Sequence, residues 1–275
     1  MNNLLREWSE SATAWREHSA TVRTMFAPVT AALIEQARIS AGQSVLDVAG
    51  GPGEPSLTIA ETVGPDGTVT YTDAVAEMVA AAEEEAKRRG LSNISFQQSV
   101  AELLPFADDS FDATVSRLGV MLFSDPAAAL REMLRVTKPR GALCFVVWGE
   151  NERNPFTSCV SKVIARYVDT PAEDADAPGA FRFAERGKLA RLLTQAGATD
   201  AQERELDFHI AAPISVEQFW EMRSRMSGTL REKLATLSAD KAQQVASEVQ
   251  DSVREYFPNN QMNFPAHMLL VSGRK

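Results

Sequence analysis

Asp47, the glycines at 50, 51 and 53, and Asp73, twenty residues after Gly53, are the residues whose types and spacing could do chemistry. They begin in the stretch VLDVAGGPGEPSL, Val45 to Leu57, where four of the first five residues are apolar and suit a buried strand. The glycines then make a tight turn, and Pro55 suits the first turn of a following helix. Glycine lets a backbone approach a ligand closely, and a helix start offers unpaired N–H donors. A strand, a glycine turn and a helix N-terminus in this order form a cradle for a nucleotide cofactor.

The dinucleotide fingerprint requires a third glycine, which Gly51-Pro52-Gly53-Glu54-Pro55-Ser56 lacks. It also has no acid where Asp47 stands, and a carboxylate there repels pyrophosphate. A cationic amine beside the turn accounts for Asp47. S-adenosylmethionine carries such an amine together with a carboxylate, which favours it over a nicotinamide dinucleotide. Asp73 ends the strand-like TVTYTD at the distance where nucleotide folds place an acid on ribose hydroxyls. That spacing suits either cofactor.

The elements that must position these residues alternate. Helix Pro55 to Val63, a GPDG turn, strand TVTYTD, helix Val75 to Arg89, strand Asn93 to Ser99 and strand Phe111 to Ser116 follow one another. Asp125-Pro126 starts a helix to about Thr137, and KPRG turns into the apolar strand Ala142 to Trp148. The EEE and KRR triplets of the second helix read as a solvated face paired at i,i+4. Strands alternating with helices predict a Rossmann-like, doubly wound α/β fold with a mostly parallel sheet. Before it, Leu4 to Arg38 reads as two helices, with Trp8 and Trp15 on one face, either core packing or a lid. After it, Asn151 to about Ala184 breaks the alternation. Helix Glu185 to Ala196 and strand Asp200 to Ile210 resume it. Ser215 to Phe257 reads as mostly helical, jointed at Ser227-Gly228 and Ser238, and MNFPAHMLLVSGR as a last strand. The expected organisation is a helical lid over 1–40, a cofactor-binding core over 41–150, an insertion over 151–184, and sheet completion over 185–275.

At 275 residues and 44% hydrophobic, the chain can bury a full core, and its 24% charged residues argue against wholesale disorder. A formal net charge of −9 disfavours a phosphate-backbone partner, so no nucleic acid is expected. Two cysteines, Cys144 and Cys159, make no disulfide framework. MNNLLREWSE lacks the apolar run of a signal peptide, and no stretch approaches the roughly 18 apolar residues of a membrane span. A cytoplasmic protein without a membrane span, monomeric or homodimeric, is the expectation; no metal site is expected.

With these pieces in order the chain resembles the class I S-adenosylmethionine-dependent methyltransferases, the ubiquinone/menaquinone-biosynthesis type above all, strongly over Gln43 to Trp148. VLDVAGGPGEPSL resembles the family's first motif and TDAVAEM its second, while LPFADDSFDATVSRLGVMLFSDPAAALREMLRVTKPRGAL resembles the stretch around the fourth strand. The resemblance implies a seven-stranded sheet with an antiparallel last strand, and S-adenosylmethionine as cofactor with S-adenosylhomocysteine as product. It carries cofactor contacts to Asp47, Ala49, Gly50, Gly51, Gly53, Asp73, Ala74, Met78, Val100, Ala101, Glu102, Ser116 and Arg117. Ala49 stands where many members have glycine, which is tolerable if its φ is negative. Val100 stands where members often have an acid for the adenine amino group, leaving that group to backbone near Ala101, to apolar packing or to Ser99.

Methyl transfer is an in-line displacement that needs positioning and water exclusion, helped by a base if the acceptor is a hydroxyl or an acidic carbon. His18 and Arg117 are the candidate catalytic residues; His209, His267 and Tyr256 have no evident route to the methyl group. The expected acceptor is a small hydrophobic or aromatic molecule against Trp8, Trp15, His18, Met121, Phe181 and Trp220. A catalytically silent S-adenosylmethionine-binding regulator and a nicotinamide oxidoreductase are the other readings.

Overall fold

The computed structural model describes residues 3–169 and 174–275, with side chains from Leu5 onward. Leu4, as a side chain of the expected first helix, and Thr170 to Glu173 of the expected insertion lie outside the described residues. The helices are α1 Asn3–Glu17, α2 Ser19–Ala37, α3 Ser56–Val63, α4 Ala76–Arg88, α5 Pro126–Val136, α6 Pro155–Ile164, α7 Lys188–Gln195, α8 Val216–Met226, α9 Gly228–Ala235 and α10 Ala239–Val253. The strands are β1 Ser44–Val48, β2 Thr68–Asp73, β3 Ile94–Gln98, β4 Phe111–Arg117, β5 Thr137–Trp148, β6 Thr199–Ala212 and β7 Met262–Arg274.

Contacts group the chain into a sheet unit, Ala27–Gly149 with Asp176–Leu206 and Met268–Lys275, and a helical unit, Met1–Phe26 with Glu150–Ala175 and Asp207–His267. The strand order is β3-β2-β1-β4-β5-β7-β6. From β3 to β5 all neighbours are parallel, and β7 returns antiparallel to β5 with Ala142 opposite Arg274. In β1 all but Ser44 are buried, as a parallel strand covered by helices on both faces requires. β1 pairs with both β2 and β4, so the strand order reverses there. The ends of such strands open the crevice where α/β sheets take their ligands.

Among the boundaries that differ from the sequence reading, two have a clear local reason. β5 begins at Thr137, because KPRG stays in the strand. Thr137 pairs with Phe111, the register then shifts, and Arg140 at φ 67 lets pairing resume between Ala142 and Ala113. α7 begins at Lys188, three residues later than Glu185. Gly187, at φ 75, precedes it and donates its N–H to both Glu203 carboxylate oxygens at 3.0 and 2.9 Å.

In the helical unit, serines divide the expected helical stretch at its joints. Ser215 forms a capping box with Gln218, Ser227 accepts from the Leu230 N–H, and Ser238 accepts from that of Lys241. The core of this unit is aromatic: Phe156 meets Phe219 and Phe264 edge-on, each at 5.6 Å between centroids. Among the described residues, no helix is long and apolar enough to cross a membrane.

Candidate active site

The turn after β1 is held by its neighbour β2. The Gly50 N–H donates to the Thr72 carbonyl at 3.0 Å. A Cβ on Gly50 would lie 2.5 Å from the Tyr71 ring, so this close approach excludes any side chain. The Tyr71 hydroxyl donates to the Gly51 carbonyl at 2.5 Å. Asp73, at the end of β2, accepts from the Gly51 N–H at 3.0 Å with one oxygen and from the Val75 N–H at 2.9 Å with the other. Burial raises the Asp73 pKa although these amides oppose the rise. Above Gly51, at φ 55, a Cβ would meet no atom within 4 Å, so the turn faces open space.

Asp47 lies wholly inside, at 0% exposure. The Ser56 hydroxyl, at the start of α3, donates to its Oδ2 at 2.5 Å, while Oδ1 is enclosed and has no hydrogen-bond partner among the described residues. Burial pushes the Asp47 pKa up to about 7, against the Ser56 bond and the Arg117 charge, which lower it. Arg117, at the end of β4, is half-buried with its Nε enclosed. It donates to the Thr30 hydroxyl on α2 at 2.8 Å and to the Glu54 carbonyl at 3.0 Å, and it faces the charges of Glu54 and Asp47. Glu54 itself ion-pairs with Arg89 at 2.7 Å. Ser116 is fully buried, and its hydroxyl has no hydrogen-bond partner among the described residues.

Ala49 departs from the expectation of a negative φ: its φ is 60, and Leu118, just past the adjacent strand β4, has φ 62. Gly119 packs closely between these segments: a Cβ on it would lie 2.6 Å from the Ser116 hydroxyl and 2.7 Å from the Ala49 Cβ. Two non-glycine residues in the left-handed region at neighbouring strand ends mark the strained rim common at ligand sites. Relief of this strain predicts that Ala49→Gly stabilises the protein by about 1 kcal/mol. Denaturant midpoints check it, and an unchanged or lower midpoint removes the strain argument.

The other expected cofactor residues fall around the ends of β2 and β3. Ala74 is half-buried, and Met78 is buried to 2% exposure, inside the face that α4 turns to the sheet. Val100 is 43% exposed and Ala101 is buried. Glu102 accepts from the Asp125 N–H at 3.1 Å. In the sheet unit Met121 is buried, its carbonyl accepting from the Gly179 N–H at 3.1 Å, and Phe181 lies 6.5 Å from Trp148 between ring centroids. In the helical unit Trp8 and Trp15 stand 5.6 Å apart, and the Trp15 indole donates to the Met226 carbonyl at 3.1 Å. His18 follows the last residue of α1, with Nε2 enclosed and without a hydrogen-bond partner among the described residues. Trp220 is half-buried on α8.

Thr30, Glu54, Tyr71, Arg89 and Gly119 complete the turn and were not singled out from sequence. Arg89 belongs to the triplets read as a solvated face, yet its side chain is 9% exposed and bonds both Glu54 and Glu85. Its seven-residue spacing from the buried Ala82 was the available signal.

A parallel sheet whose order reverses at β1, with a glycine cradle, an acid on either side and no pyrophosphate fingerprint, defines a nucleotide-cofactor α/β protein. Residues 39–197, more than half of the chain, match the methyltransferase domain family, and the chain belongs to it, among the class I S-adenosylmethionine-dependent members. Over 118 residues it is 41% identical to the ubiquinone/menaquinone biosynthesis C-methyltransferase UbiE of Bdellovibrio bacteriovorus, covering 43% of this chain and 49% of that protein. The chain spans about half the length of the curated relatives it matches. Its fold is similar to that of YcgJ from Bacillus subtilis, with TM-score 0.58, 22% identity and coverage of 90% and 97% of the two chains. A methyltransferase of Aquifex aeolicus gives TM-score 0.54 at 16% identity, with 96% and 97% covered. The residues fit the family's cofactor: space lies open over Gly51, and the enclosed Asp47 and Ser116 oxygens are short of donors or acceptors.

Proposed function

We propose that this chain transfers the methyl group of S-adenosylmethionine to a small hydrophobic or aromatic acceptor. The observation that carries the reading is the pair of enclosed, unsatisfied oxygens, Asp47 Oδ1 and Ser116 Oγ, at the ends of adjacent strands beside the open turn. Buried polar atoms are rarely left without partners, and a ligand bearing an amine and a carboxylate supplies them.

When bound, the sulfonium supplies a methyl group already activated for displacement. The chain's own residues then orient and enclose. Asp47 faces the amine, and Ser116 holds the methionine end. Asp73 accepts from the ribose hydroxyls while keeping Gly51 in place. Ala74, Met78, Val100, Ala101 and Glu102 border the adenine. Arg117 acts as a positioning residue, clamping the Glu54 carbonyl and hence the turn. Each unit by itself offers apolar surface to such an acceptor, Trp8, Trp15 and Trp220 in the helical unit, and Met121 and Phe181 in the sheet unit. His18, with its enclosed Nε2, is the side chain proposed to take a proton, since His209 is bonded to Asn263 and His267 is buried in β7.

Calorimetric titration with S-adenosylhomocysteine, with NADH alongside, tests the reading. The thioether is expected to bind and NADH not to; binding of NADH alone overturns it. Asp73→Ala is expected to weaken thioether binding by about 1–3 kcal/mol, the value of hydrogen bonds to a charged group. Unchanged affinity removes Asp73 from the site.

The exposed Val100, standing where the family often has an acid, favours a second reading, a silent S-adenosylmethionine-binding regulator. Release of S-adenosylhomocysteine on incubation with phenols or quinones separates the two.

A further inference from the structure

On α8 the buried residues Val216, Phe219, Met222 and Met226 are apolar, and the half-buried Arg223 stands beside them. The Arg223 guanidinium carbon sits 4.6 Å from the centroid of the Phe156 ring, which Phe219 and Phe264 hold edge-on. Its Nε is enclosed without a hydrogen-bond partner, and among the described residues no carboxylate pairs with it. The neighbouring arginines are treated differently. Arg225 pairs with Glu17 at 2.5 Å and Glu221 at 3.6 Å, and Arg231 reaches Ser11, the Arg225 carbonyl and Glu10.

A ring face attracts the guanidinium charge but accepts none of its in-plane N–H bonds, so stacking on Phe156 leaves the donor fork unused. Burial lowers the Arg223 pKa to about 10, which leaves it charged at neutral pH. The half-buried guanidinium keeps its terminal nitrogens open to a ligand, and the fork matches the two oxygens of a carboxylate or phosphate.

We propose that Arg223 is the receptor for the anionic oxygen group of a small aromatic ligand, an aromatic acid or aryl phosphate whose ring rests against the helical unit's aromatic side chains. His18 stands near this end of α8: the Trp15 indole meets the Met226 carbonyl, and Glu17 pairs with Arg225. A second enclosed nitrogen without a partner thus belongs to the same helix ends.

The test uses the full chain, its Arg223→Met and Arg223→Lys variants, and thermal unfolding at matched ionic strength with benzoate, phenyl phosphate or neutral benzamide. Without ligand, Arg223→Met is expected to unfold at a higher temperature than the parent, because an apolar chain replaces an uncompensated charge. Benzoate or phenyl phosphate should raise the parent's unfolding temperature and leave Arg223→Met unmoved, and benzamide should shift neither. Arg223→Lys, which keeps the charge but not the fork, should retain a smaller shift. The anion giving the larger shift distinguishes carboxylate from phosphate. A lower unfolding temperature for Arg223→Met, or the same response to the anions in parent and variant, nil included, overturns the proposal. Neither cofactor nor turnover enters this measurement, so its outcome and that of the methyl-transfer assay are read independently.

Discussion

Arg117→Met is expected to lower folding stability by about 3–5 kcal/mol, the usual cost of removing one partner from a buried charged cluster. Three contributions add. The Thr30 hydroxyl and the Glu54 carbonyl each lose a donor, at 2.8 and 3.0 Å. The carboxylates of Glu54 and Asp47 lose the cation that faces them. The loss depends on pH through Asp47, whose folded-state pKa already stands at about 7 with Arg117 present and rises further without it. At pH 6 Asp47 carries a proton with or without Arg117 and the missing cation matters less; at pH 8 the parent holds a carboxylate there and the loss is larger. Denaturant unfolding at these two pH values checks both points. A loss below about 1 kcal/mol, or one equal at both pH values, would show that the guanidinium is not the centre of this cluster.

The second large effect has the opposite sign. Asp47→Asn is expected to stabilise the ligand-free protein at pH 8 by up to about 4 kcal/mol, the equivalent of moving the Asp47 pKa from 3.8 to about 7. Because burial raises the folded-state pKa, the folded protein keeps a proton between about pH 4 and pH 7 that the unfolded chain has released. The parent therefore loses stability as pH rises through that window and is flat above it, while the asparagine variant lacks this slope. Asparagine can still accept from the Ser56 hydroxyl, so packing at α3 is kept. Under the proposed function the same change removes the carboxylate facing the cofactor amine, and S-adenosylhomocysteine should bind about tenfold to a hundredfold more weakly. A variant less stable than the parent at pH 8, or one that keeps the slope, contradicts the burial argument. Greater stability with unchanged binding contradicts only the proposed role of Asp47.

What could be read from sequence was what is local. The strand, turn and helix around Asp47 depend on neighbouring residues, and the serine joints at 215, 227 and 238 cap helices whose partners lie three residues on. The antiparallel last strand was legible through family resemblance. The clamp around the turn was not. Arg117 meets Thr30 from 87 residues away, and nothing in either neighbourhood announces the pair. Arg89 was masked by the charges beside it, since a run of lysines and arginines looks solvated until the helix is placed on the sheet. The positive φ of Ala49 goes against the steric preference of an L-residue and sits where Gly119, 70 residues on, packs against its Cβ, a contact that the local sequence does not announce.

The bond between Arg117 and Thr30 also bears on where this domain ends. Similarity to the family begins at residue 39, whereas Thr30 lies earlier, on α2. A fragment cut at the edge of similarity keeps every glycine and acid of the first motif and discards one of the oxygens that hold Arg117. The unit that recurs in sequence is thus smaller than the unit that is electrostatically whole. Recombining such domains by their sequence borders severs the clamp unless α2 travels with them.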